Sequence, residues 1–160
     1  FTDWNSSFWK RFLVATCRGS LSVPANTFQE GDAFKLEGAG HLSVTGPPPD
    51  LTLKVLFNGI AELVITIPSL PNVSDLHWRM EINFTIRSTG SGGAGNGQIM
   101  TALKFFHEED ANDKVNGHSF TQLSNLNTTV VNTLDITATW GSADDTDIIH
   151  SEIMTLNKTY

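Results

Sequence analysis

The sequence predicts an all-β fold, an antiparallel two-sheet β-sandwich of the jelly-roll kind with about 8–10 strands. Three observations carry that expectation. Apolar and polar residues alternate at a period of two in segment after segment. Clusters of Gly, Asn, Pro and Asp separate those segments. No stretch after residue 12 carries a helical period over the length of an ordinary helix. A single dry face per strand is what contact between two stacked sheets requires. An immunoglobulin-type sandwich is the main alternative, and it lacks here its Cys–Trp–Cys framework.

Composition narrows the function classes. The 160 residues suit one domain, which at this size buries roughly 68–70% of its unfolded surface. Ten basic residues against seventeen acidic give a net charge of -7, the opposite of the basic patch of a nucleic-acid-binding face, so no nucleic-acid partner is expected. The lone Cys17 excludes an intrachain disulfide and a cysteine-built metal site, and reads as a small buried residue. No run approaches the roughly 18 apolar residues of a membrane span, and no signal peptide is visible, so no membrane insertion is expected. Starting at Phe1 rather than Met, the chain reads as a processed product or an excised domain.

Taken in order, residues 1–17 read as an N-terminal arm or stalk end plus the first strand, and residues 18–160 as a single head domain. Phe1, Trp4, Phe8 and Phe12 fit a short helical stripe, too short to hold alone. Its aromatics must find a surface, either the parent core or a neighbouring subunit; for the second reading Trp4, Phe8 and Trp9 are the oligomer-contact candidates. Phe12 to Thr16 and Leu21 to Pro24 read as short strands around Arg18-Gly19-Ser20, and Phe34 to Val44 as a long one in which Gly38 and Gly40 mark a bulge or bend. Pro47-Pro48-Pro49 is a stiff loop. Leu51, Leu53, Val55 and Phe57 alternate up to Asn58-Gly59, a specific hairpin signal, because both central residues of that turn need positive φ. Leu63, Ile65 and Ile67 form the return strand.

Trp78, Met80, Ile82, Phe84 and Ile86 then face one way, and His77, Arg79, Glu81, Asn83, Thr85 and Arg87 the other, in the clearest alternation of the chain. Glycines 90, 92 and 95 match G-x-G-x-x-G formally, yet a strand pattern follows at Gln98 to Phe106, where a phosphate-binding loop needs a helix. Glu108 to His118 reads as a polar loop. His107-Glu108 opens like a zinc-protease helix, but Ala111 stands where the second His belongs. Gly117-His118-Ser119 lacks the second Gly of a nucleophile elbow. Leu134, Ile136, Ala138 and Trp140 form the inner face of a strand whose other side carries Asp135, Thr137 and Thr139, and an acidic turn leads to a last strand from Ile148. Asp144, Asp145 and Asp147 read as turn residues, since the Gly and terminal Glu of a calcium loop are missing. The sequons at Asn5, Asn72, Asn83, Asn127 and Asn157 read as fortuitous outside a secretory route. Neither metal nor cofactor is expected.

Four stretches occur in an order that resembles a known family: Gly19 to Asp32, Leu51-Thr-Leu-Lys-Val, Trp78-Arg-Met-Glu-Ile-Asn-Phe-Thr-Ile-Arg-Ser-Thr-Gly, and Leu134-Asp-Ile-Thr-Ala-Thr-Trp-Gly-Ser-Ala. They are similar to viral and phage-associated β-sandwich modules of tail-fibre, spike and other virion-surface proteins, over about residues 18 to 160. The resemblance implies a virion structural protein, a homotrimeric fibre or spike head or capsid-decoration domain. It would lie extracellularly on the virion surface beside other virion proteins and attach to a host glycan or protein receptor. The matched motifs are strand and turn signatures, so no catalytic residue comes with them. The alternative is a non-viral, lectin-like carbohydrate-binding module. An enzyme, which would need two carboxylates facing across a groove, is the least expected. A receptor site is expected in the end loops, with Asn112, Asp113, Asn116 and His118 as ligand candidates.

Overall fold

A computed structural model describes residues 16–91, 97–109, 112–141 and 147–159. Among them the chain is all β, in the order β1 (Thr16–Val23), β2 (Ala33–Val44), β3 (Leu51–Phe57), β4 (Ile60–Ile67), β5 (Val73–Ser88), β6 (Gly97–Glu109), β7 (Asn112–Leu126), β8 (Asn132–Trp140) and β9 (Ile148–Lys158). A four-stranded sheet, β1-β8-β3-β4, faces a five-stranded one, β7-β6-β5-β2-β9, and among the described residues every strand pair is antiparallel. The chain changes sheet at β1–β2, β2–β3, β4–β5, β7–β8 and β8–β9, the interleaving expected of a wrapped sandwich. On one side β4 lies against β7.

The core is built mainly from residues that the alternation placed inside, with Phe28 and Leu70 added from loops. Leu51, Leu53, Val55 and Phe57 of β3 are buried, and Trp78, Met80, Ile82, Phe84 and Ile86 of β5 face them from the other layer. Phe84 sits at the junction. It stacks on Phe34 of the neighbouring β2 at 4.9 Å and meets Phe57 of the opposite sheet edge-on at 5.9 Å. Offset-stacked and edge-to-face pairs of this sort add to simple burial, and they fix the relative position of the layers.

Turn chemistry follows the sequence where the turn is tight. Asn58 and Gly59 adopt φ of 52° and 80°, the left-handed pair of a two-residue hairpin. The Asn58 side chain also ties that hairpin to the next layer change. Its Nδ2 donates to Asn132 Oδ1 at 2.8 Å, and its Oδ1 accepts from the Thr133 amide at 2.8 Å. Asn132, fully buried, donates in turn to the carbonyls of Asn127 and Val130. The proline loop is packed down, with Pro49 O accepting from Leu70 N at 2.9 Å.

Several expectations need correction. Arg18-Gly19-Ser20 is not a turn: it runs inside β1, opposite Thr137, Ile136 and Asp135 of β8. Pairing with a long central strand outweighs the turn tendency of one glycine. Since β1 starts at Thr16, the boundary expected after Cys17 falls within a strand. The stretch 108–118 is not a polar loop. His107, Glu108 and Glu109 end β6, Asn112 starts β7, and the connection spans only residues 110–111. Ladder partners along β6 and β7, with Asn116 skipped at a register shift, satisfy backbone groups that a polar composition leaves undetermined. A bulge does fall where Gly38 and Gly40 mark one, with its extra residue on the partner strand. Ala39 pairs with Ile153 and Gly40 with Ser151, so the extra residue is Glu152 on β9. Asp135 lies on the outer side of β8, as its parity requires, yet it is buried, being flanked by β1 and β3 on a central strand.

The two glycines make room for that edge strand. A Cβ on Gly40 would collide with the His150 carbonyl, and one on Gly38 with the Met154 sulfur. The Trp78 indole closes the arrangement, donating its N–H to both the His41 and His150 carbonyls at 3.1 Å. Gly40→Ala should therefore cost more than Gly38→Ala, because backbone yields less readily than a flexible thioether. In urea unfolding Gly40→Ala is expected to lose about 2 kcal/mol or more, within the range of strained core substitutions. Phe84→Ala should lose about 3–5 kcal/mol.

Candidate functional site

The outward face of the five-stranded sheet gathers the chemistry-bearing side chains into rows. Strand register sets Asn157, Lys35, Asn83 and Ala102 side by side across β9, β2, β5 and β6. The next row is Thr155, Glu37, Glu81 and Lys104, and the one after it Ile153, Ala39, Arg79 and Phe106. A last row holds His150, His41 and His77. Because side chains alternate faces, these rows carry every second residue of strands whose other residues fill the core.

Glu37 and Glu81 stand directly opposite each other, an arrangement that repels on its own. Lys35 resolves it, its Nζ lying 2.8 Å from Glu37 Oε1 and 3.3 Å from Glu81 Oε2. Asn83 Nδ2 donates to Glu81 Oε1 at 2.7 Å. That bond, joined by Lys35, holds the Glu81 carboxyl below its ordinary value against the opposing effect of partial burial. Hydrogen bonding to Glu37, then to Glu81, raises Lys35. In the adjacent row the Arg79 guanidinium lies 4.6 Å from the centroid of the Phe106 ring, a cation–π contact that orients its plane.

Ala39 is the smallest residue of its row, and it lies between Ile153 and Arg79. The difference in side-chain length leaves a trough of about 320 Å³, lined by Glu37, Ala39, Arg79, Glu81, Phe106 and Ile153 among others. Ile153 is 60% exposed. Carboxylates that accept, a guanidinium that donates and an apolar floor thus share one concavity, the mixture typical of small-ligand sites. At its histidine end, His41 Nδ1 stands 3.0 Å from Asp75 Oδ1, and the His41 and His77 rings are 4.5 Å apart.

The residues expected to bind ligand are placed along the border of this face. Asn112 and Asp113 pair with Glu109 and Glu108 beside the β6–β7 connection. Asn116 is the extra residue where pairing shifts between Phe105↔Gly117 and Phe106↔Val115, and His118 lies opposite Lys104, in line with Glu81 and Glu37. They are thus residues of strand β7, not members of an end loop. Trp4, Phe8 and Trp9 lie outside the described residues, as do Asp144 and Asp145. Asp147 is buried and accepts from the Thr45 amide at 3.2 Å. Among the described residues, no group of three or more His, Cys, Asp or Glu is disposed to hold a metal ion, and no helix is long and apolar enough to cross a membrane. Sequence reading put Arg79 and Glu81 on a polar face but missed Glu37, Ala39, Phe106 and Ile153 as their neighbours. The alternation in each strand was legible; the register that makes four strands into one surface was not.

Protonation of Glu81 tests this network. Its folded value is depressed, so the stabilisation is complete above the ordinary value of 4.5 and is lost as pH falls through the lower folded value. Stability of the protein should decline in that acid window, and Glu81→Gln should flatten the decline, as read from urea midpoints across pH. No family model matches the chain, and no curated protein matches it. A solved structure, that of a tetrameric galectin from the ball sponge Cinachyrella sp., aligns over 89% of this chain and 100% of its own, with 9% identity and a TM-score of 0.27. A superposition at that score says nothing of function.

Proposed function

We propose that this chain is a non-catalytic recognition head of a virion surface, a fibre or spike head or capsid-decoration domain that assembles as a homotrimer with other virion proteins and attaches to a host surface. The family resemblance supports the viral setting. The observation that carries the assembly part is a group of exposed β-branched side chains near one end of the sandwich. Ile60 is 64% exposed, Val131 57% and Val130 45%. The Asn58 bonds to Asn132 and Thr133 hold the hairpin that carries Ile60 beside the segment that carries both valines. Apolar side chains grouped in this way favour burial against a neighbour. Attachment is assigned to the outer face of the five-stranded sheet, where a rigid scaffold fixes charged, aromatic and apolar groups around one trough.

A lectin-like module outside any particle is the second reading, and the trough favours it equally. The two differ in assembly and location. Light scattering over a dilution series is expected to give a trimer at every concentration, and antibody labelling should decorate intact particles. Ile60→Lys combined with Val131→Lys should shift the protein towards monomer while leaving its unfolding midpoint within about 0.5 kcal/mol, as for exposed positions. A monomer throughout, absent from particles, removes the virion reading.

A further inference from the structure

We infer that the trough over Ala39 is a binding site for a neutral, polyhydroxylated ligand, a sugar ring of an uncharged glycan. The inference deepens the recognition reading and rests on it for its biological setting. Charges of both signs surround the trough: Glu37, Glu81 and Arg79 line it, Lys35 bonds to both carboxylates, and Lys104 stands beside Glu81 in the next strand. An anion entering here meets the two carboxylates, and a cation meets the ammonium and the guanidinium. A vicinal diol meets neither penalty: its hydroxyls donate to carboxylate oxygens and accept from N–H groups at once.

The Glu37 and Glu81 side chains are 50% and 31% exposed, so the carboxylates reach the solvent side of the sheet. A carboxylate has about four acceptor positions, more than Lys35 and Asn83 occupy between them. Arg79 is oriented by the Phe106 ring beneath it, which lowers the ordering cost of hydrogen bonding through a planar fork. The Ala39 methyl and the exposed Ile153 side chain offer the C–H face of a sugar ring an apolar bed. The trough volume of about 320 Å³ falls at the small end of ligand sites, which span roughly 300–1,000 Å³. Its open form suits one or two residues of a longer glycan crossing the sheet.

The test is titration calorimetry with neutral trisaccharides built on glucose, galactose, mannose or N-acetylglucosamine, against the same trisaccharides bearing sialic acid or sulfate. At least one neutral ligand should bind, and its charged counterpart should bind more weakly. Ala39→Trp, which fills the trough from the surface, should weaken binding by about tenfold or more, a change of 1.4 kcal/mol per decade. Glu37→Gln, which keeps the shape and removes one charge, should weaken it several-fold even where the bulkier variant folds poorly. No binding by any neutral trisaccharide, tighter binding of the charged set, or full affinity in Glu37→Gln and a folded Ala39→Trp would each overturn the inference. Oligomeric state and particle labelling are read on separate samples. Loss of sugar binding with trimer and labelling intact therefore defeats the glycan assignment alone.

Discussion

The fold depends on the apolar side of β5. Five residues at every second position, from Trp78 to Ile86, are buried between the sheets, and two of them do more than fill space. Trp78 ties β2 to β9 through two carbonyls, and Phe84 joins β2 in its own sheet and β3 in the other. Since β5 lies at the middle of the five-stranded sheet, fixing its inner face also fixes the phase of its outer one. Arg79, Glu81 and Asn83 point outward because Trp78, Met80, Ile82 and Phe84 point in. The candidate site is thus the reverse side of the core, and a one-residue slip would exchange the two.

This coupling explains how much could be read from the sequence. Within a strand, parity was enough: the inner residues of β3 and β5 and the Asn58-Gly59 hairpin are where alternation and turn chemistry place them. Between strands, nothing in the one-dimensional pattern states a register. Ala39 beside Arg79, or Phe106 beside the same arginine, follows from hydrogen-bond ladders between segments tens of residues apart. The errors have the same origin. A glycine in β1 and a polar run in β7 looked like breaks because composition speaks for the isolated segment, whereas β8 and β6 offer each of them a ladder.

The polar network shows how the outer face tolerates like charges in contact. Two glutamates opposite each other would weaken the β2–β5 pair, yet one lysine reaches both and an asparagine takes up a further oxygen. Exposed ion pairs contribute little to stability. Their consequence here is geometric: the carboxylates are held at fixed positions at the margin of a concavity, as a site built on strands rather than on a loop allows.

The extra residue at Glu152 has a bearing on where the sheet ends. β9 is an edge strand, and an edge with evenly spaced donors and acceptors is a template on which another chain can add a strand. An inserted residue puts that spacing out of step halfway along, so an incoming strand in register with one half is out of register with the other. Gly40 is what permits the insertion, by leaving the space into which the His150 carbonyl leans. A glycine in the second strand thereby guards the last one against open-ended fibre growth.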